Sequence, residues 1–317
     1  MSSHVCYLCT RSVQSPTLRG LADEVTLFPD ASAVRPTGPT FGLQPPACSA
    51  RSLPVNAPRW FWGELLGTFI LVFVGCSTVA TAVALGAPMG LVQVALVWGL
   101  GLSVAIFLTG GMSGAHLNPA ITIAMAVWRD FPMKRVPGYI ATQMLAAFLA
   151  AGLLYLLYNG SIVAFESASG VTRGEPGSEA SAMIFGEFFP NPDGKPLTPA
   201  DDLRVSHLNA CLAEAVGTAL LALAIFGFTG KRNESGPGPL TPLAIGITLT
   251  VLISLFAPLS QAGFNPARDF APRVFSALAG WGGIPFSTNG IGWLTVYIVS
   301  PIVGALAGGW IGRKLFD

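Results

Sequence analysis

The chain has 317 residues, of which 52% are hydrophobic and only 10% charged, and its formal net charge is +1. A soluble domain carries about 25% charged residues, so this composition, with a mean hydropathy of +0.61, excludes an ordinary soluble domain and points to helices embedded in a bilayer. The near-zero net charge likewise excludes a nucleic-acid partner.

Residues 1–57 differ from the rest: they are rich in Ser, Pro, Thr and Ala, include PTGPT and LQPPA, and show no sustained apolar period. Such a segment is expected to be a disordered N-terminal extension. Its Cys6 and Cys9 form a CxxC with no second pair and no nearby His, so no metal site is expected there. Apolar runs then follow at about 60–85, 90–110, 136–158, 208–228, 240–257 and 290–312. Each is near the roughly 20 residues a helix needs to cross a bilayer. Two half-length apolar stretches begin at Asn118 and Asn265, and a half-span must be buried in protein or line a cavity. Residues 58–317 therefore read as one membrane unit.

Loop charges orient it. Arg51 and Arg59 precede the first span, Arg129, Lys134 and Arg135 follow the second, Lys231 and Arg232 follow the fourth, and Arg313 and Lys314 follow the sixth. With six spans all these positions fall on one side, and the acid-rich loop at about 159–207 falls on the other. The excess of Lys and Arg on cytoplasmic loops then places both termini in the cytoplasm, with the plasma membrane as the expected location.

The two halves repeat. Glu64-Leu65-Leu66-Gly67-Thr68 opens the first span, and Glu214-Ala215-Val216-Gly217-Thr218 lies in the fourth. Asn118-Pro119-Ala120 follows the second span, and Asn265-Pro266-Ala267 follows the fifth. Repeat one runs from about 60 to 158 and repeat two from about 208 to 314. Three spans is an odd number, so the second copy is inserted upside down, and inverted repeats place their site near the midplane on broken helices.

Asn is a favoured N-cap and Pro a favoured first helical residue, so each Asn-Pro-Ala starts a helix. Inversion points the two N-termini at each other, and each carries about half a positive charge. Such a junction repels cations, hydronium included, while the capping amides keep donors for a passing hydroxyl or water.

The segments SGAHLNPAITIA and GFNPARDFAPRVF closely resemble the major intrinsic proteins, the aquaporin and glycerol-facilitator family. The resemblance covers about residues 60–314. It implies an all-α membrane protein of six transmembrane helices and two half-helices in an inverted repeat, forming a right-handed bundle and a homotetramer with one pore per subunit. It implies a passive channel, not an enzyme, with no cofactor.

Arg268 follows the second motif, and an Arg inside a membrane segment is a functional residue by default. Matching the family pattern implies a constriction of Trp98, Ile253, Ala262 and Arg268. Water-selective members usually carry His at the span-five position; here His4, His116 and His207 are the three histidines, and none is in span five. Ala262 leaves space where glycerol facilitators usually carry Phe. The set resembles plant nodulin-like members, which pass glycerol and other small uncharged molecules, metalloid hydroxides among them. Asp269 and Arg273 resemble the glycerol branch, whereas Tyr297 resembles the water-type pattern and Ile298 the glycerol type. An Asp269 pairing with a nearby basic residue is expected to open the loop.

Glu64 and Glu214 are intramembrane acids that need partners, and the resemblance implies that they hold loop backbone near the half-helices. His116 is expected to brace its loop rather than bind a metal. The expected solutes are glycerol and water, with urea or metalloid hydroxides as further candidates. A water-selective channel, a proton-coupled transporter using Glu64 and Glu214, and a membrane protein with a vestigial pore are the competing readings.

Overall fold

The computed structural model describes residues 57–317. The disordered extension expected at 1–57, with its CxxC, lies outside the described residues apart from its last position. Among the described residues, six helices are long and apolar enough to cross a membrane. Four of them are α1 (Arg59–Val83), α2 (Leu91–Ser113), α4 (Val136–Ala168) and α5 (His207–Phe228). The other two are α6 (Thr241–Ser260) and α8 (Gly292–Phe316). Two half-length helices complete the set: α3 (Pro119–Trp128) and α7 (Pro266–Ser276).

Packing shows the repeat directly. In the first half α1 packs on α2 and α4; in the second half α5 packs on α6 and α8, while α2 and α6 meet across the middle. The half-helices cross over: α3 packs on α8 and α7 packs on α4. Each half is therefore completed by a helix from the other. Small residues make the approach close, as they do between helices in lipid. A Cβ at Gly304 or Gly308 of α8 would lie 2.1 or 1.9 Å from the carbonyl oxygen of Ala215 or Ala219 in α5. The outer faces are leucine-rich; Leu145, Leu149, Leu153 and Leu156 are exposed along α4, as lipid or a neighbouring apolar face requires.

Three boundaries differ from the sequence reading. Helix α4 continues ten residues past 158, to Ala168, because NGSIVAFESA contains no proline and the Glu166–Arg173 pair holds its end despite Gly160. Its 33 residues span about 50 Å at 1.5 Å per residue, longer than the roughly 30 Å apolar core. Helix α8 begins with a wider turn over Thr295–Val299 before a regular stretch from Ser300. The segment 159–207 is not simply an acidic loop on the surface. Arg173 reaches Glu166 with Nε and Nη2, donates to the Tyr155 hydroxyl, and stacks 4.1 Å from the Trp281 ring. That fastening turns the segment inward and buries Phe185, Glu187 and Phe188.

Candidate functional site

Both Asn-Pro-Ala motifs start helices as their sequences require. The Oδ1 of Asn118 accepts from Ala120 N at 2.8 Å, and the Oδ1 of Asn265 accepts from Ala267 N at 3.0 Å. In each motif Pro119 or Pro266 takes the first helical position, where its missing N–H costs nothing. The amide groups then cross the junction. Asn118 Nδ2 donates to Phe264 O at 2.8 Å, and Asn265 Nδ2 donates to Leu117 O at 2.8 Å. The two N-termini thus abut by a reciprocal pair of bonds. Each NH2 has a second hydrogen, and both asparagines line one cavity of about 150 Å³.

The loops that enter the motifs hold backbone in the left-handed region without glycine. Ala115 and Leu117 have φ of 49° and 53°, and Gln261, Ala262 and Phe264 have φ of 60°, 62° and 53°. Such residues cost of order 1 kcal/mol each and persist only where the surroundings hold them. Glu64 and Glu214 do the holding. Glu64 accepts from Ser113 Oγ, His116 N, Leu117 N and Gln143 Nε2 at 2.7–3.0 Å. Glu214 accepts from Ser260 Oγ, Gly263 N and Phe264 N at 2.6–2.9 Å. Both carboxylates are fully buried, behind the cavity wall rather than on it.

Trp98, Ile253, Ala262 and Arg268 come together on the same cavity. The guanidinium of Arg268 lies 4.5 Å from the Trp98 ring centroid, Nη1 donates to Phe185 O at 3.1 Å, and Nε lies 3.0 Å from Glu187 Oε1. Two anchors fix the fork and leave Nη hydrogens for a solute. Most of the remaining wall is apolar, with Leu102, Ile106, Leu221 and Leu249, and His116, Thr229 and Thr241 add polar positions. The indole of Trp98 lies flat against α1 because residue 75 is glycine: a Cβ there would sit 2.2 Å from the ring. Gly75→Ala is therefore expected to push the indole toward Arg268. The overpacking of about 1–3 kcal/mol should lower glycerol permeability about tenfold, equivalent to 1.4 kcal/mol at the barrier, measured by stopped-flow light scattering.

His116 lines the cavity and packs on Phe131 and Tyr139, with Nδ1 3.3 Å from Thr122 Oγ1. Among the described residues no group of three His, Cys, Asp or Glu could hold a metal ion. Asp269 pairs with a nearby basic residue as expected, but the pair does not open its loop. It pairs with Arg273, Nε to Oδ2 at 2.9 Å and Nη2 to Oδ1 at 2.8 Å, and Oδ1 also accepts from Glu187 N at 2.7 Å. Arg273 donates in turn to the carbonyls of Pro285 and Glu187. This pair fastens the 159–207 segment to α7 at the Glu187 backbone. Glu187 itself was invisible as a site residue, since it stands 81 positions from Arg268 in a stretch whose acids read as surface charge.

The comparisons with known proteins agree with this geometry. The family model described as major intrinsic protein matches residues 53–312. The glycerol uptake facilitator protein of Haemophilus influenzae is 40% identical over 256 residues, which are 80% of this chain and 91% of that one. The propanediol uptake facilitator of Citrobacter freundii is 41% identical over 254 residues, 80% of this chain and 90% of its own. The X-ray structure of the aquaglyceroporin from Plasmodium falciparum superposes with a TM-score of 0.67 at 26% identity, covering 81% of this chain and 96% of that one. With a family model spanning most of its length and relatives at this identity, the chain is a multi-pass integral membrane protein of the major intrinsic protein family.

Proposed function

We propose that the chain is a passive channel for glycerol and other small neutral solutes, with water, that rejects protons and ions. One observation carries the reading: a single cavity sets an apolar wall, including Trp98 and Ile253, against the N–H donors of Asn118, Asn265 and Arg268. A polyol has the same two faces, carbon on one side and hydroxyls on the other. The relatives named for glycerol and propanediol uptake support the same substrate class, within which urea and metalloid hydroxides are narrower candidates.

The water-selective alternative is disfavoured by Ile253, an aliphatic residue where a polar side chain would narrow the passage. A proton-coupled transporter is disfavoured by Glu64, whose two oxygens already accept four hydrogen bonds. The unit at 58–317 is read as the channel domain, both termini as cytoplasmic, the plasma membrane as its site, and a homotetramer as its assembly. Exposed leucines along α4 supply the apolar face that a tetramer would bury. Transport of this kind needs no catalytic step and no cofactor.

Radiolabelled glycerol entry into proteoliposomes tests the passive reading. Uptake should rise linearly with glycerol concentration and be unchanged by an imposed pH gradient. Saturable uptake driven by the gradient would instead assign a coupled transporter.

A further inference from the structure

The ionisable groups around the second half-helix do not all serve one purpose. Arg273 is taken by Asp269 in a two-point fork. Glu214 is spent on the loop N–H groups. The carboxylate ion-paired with Arg268 is Glu187, fully buried, with Oε1 3.0 Å from Nε. The contact is a charge pair rather than an aligned hydrogen bond, and neither Glu187 oxygen has a hydrogen-bond partner among the described residues.

The loop opposite is shaped for this carboxylate. Gln261, Ala262 and Phe264 all carry positive φ, yet the glycine of that run, Gly263, does not. Its reason is space. A Cβ at 263 would lie 1.8 Å from Glu187 Oε2, so the missing side chain makes the seat of the carboxylate. No backbone requirement explains a glycine there, and a buried carboxylate whose one partner is the filter arginine is too costly to be incidental.

We propose that Glu187 is a specificity-determining residue: the counter-ion that cancels the net charge of the Arg268 filter and leaves its free N–H groups as donors for hydroxyls. The proposal rests on the channel reading above. An unpaired guanidinium in a narrow, apolar-walled passage is an anion trap, because its planar fork matches a planar anion. With Glu187 seated, the filter binds a neutral polyol without capturing anions.

Glu187→Gln keeps the shape and an oxygen toward Nε while removing the charge. Glycerol flux in proteoliposomes is compared in sodium nitrate and in sodium gluconate, the second anion being too large to enter. The wild type should conduct equally in both salts. Glu187→Gln should lose about fivefold of its glycerol flux in about 0.1 M nitrate, where charge acts over about 10 Å, and Glu187→Asp should restore most of the indifference. If Glu187→Gln does not assemble, Gly263→Ala, which unseats the carboxylate, should show the same nitrate sensitivity. Equal loss of flux in both salts would reduce Glu187 to a structural prop, and wild-type behaviour in both would remove any role; either result overturns the proposal. Absence of glycerol flux in the wild type would instead strike the channel reading itself.

Discussion

Arg268→Ala is expected to destabilise the protein by about 3–5 kcal/mol, because it strands a buried carboxylate without its counter-charge. Glu187 is fully buried, and its oxygens have no hydrogen-bond partner among the described residues to fall back on. The double variant Arg268→Ala with Glu187→Gln removes both charges and should recover most of that loss, a coupling that a double-mutant cycle reads directly. The two variants should also separate in function. The single change converts a neutral filter into a negative one beside Trp98, so the proton leak of proteoliposomes under a voltage clamp should rise. In the double variant glycerol flux should persist and the leak should be smaller than in the single one, since no uncompensated negative charge remains beside the pore to offset the two positive N-termini of the junction. Thermal unfolding in detergent measures the first effect and a pH-sensitive dye inside the vesicles the second. Equal destabilisation in the single and double variants would show that Glu187 is not the partner that matters.

Glu214→Ala should do still more damage to folding. It deprives Ser260 Oγ, Gly263 N and Phe264 N of their acceptor at once. Each buried donor left unpaired costs about 1–3 kcal/mol, and the left-handed residues Ala262 and Phe264 lose the group that holds them. Asn118 Nδ2 bonds to Phe264 O, so the damage reaches the junction directly. Glu64→Ala removes four donors' acceptor on the other side and reaches the junction through Leu117, whose carbonyl accepts from Asn265 Nδ2. Both variants should fall sharply in yield of folded protein, by size-exclusion chromatography, with any surviving fraction conducting poorly. A folded Glu214→Ala protein with normal glycerol flux would contradict the assigned role.

Much of this was readable before the structure because the signals are local. Asn-Pro starts a helix by capping chemistry confined to three residues, so α3 and α7 begin where Asn118 and Asn265 predict. The spans follow from apolar runs, and the pairing of Glu64 with Glu214 follows from a repeat. What was not readable depends on contacts far apart in sequence. The continuation of α4 to Ala168 is held by Glu166 meeting Arg173, which in turn stacks on Trp281, more than a hundred residues away. Asp269 looked like a residue that could open its loop, but the fork with Arg273 and the bond from Glu187 N fix it. Glu187 carried one faint signal, the glycine at 263, whose meaning appears only when the two segments are side by side.

An apolar wall facing fixed donors should select a polyol over a plain water file. Stopped-flow light scattering on proteoliposomes of the wild-type chain, under a glycerol gradient and then under an impermeant-sugar gradient, tests it most directly. Glycerol entry should be fast, well above that of protein-free vesicles, and accompanied by water flux. Fast water flux with glycerol entry no faster than in empty vesicles would contradict it, and would mean that Trp98, Ile253 and Arg268 form a water filter.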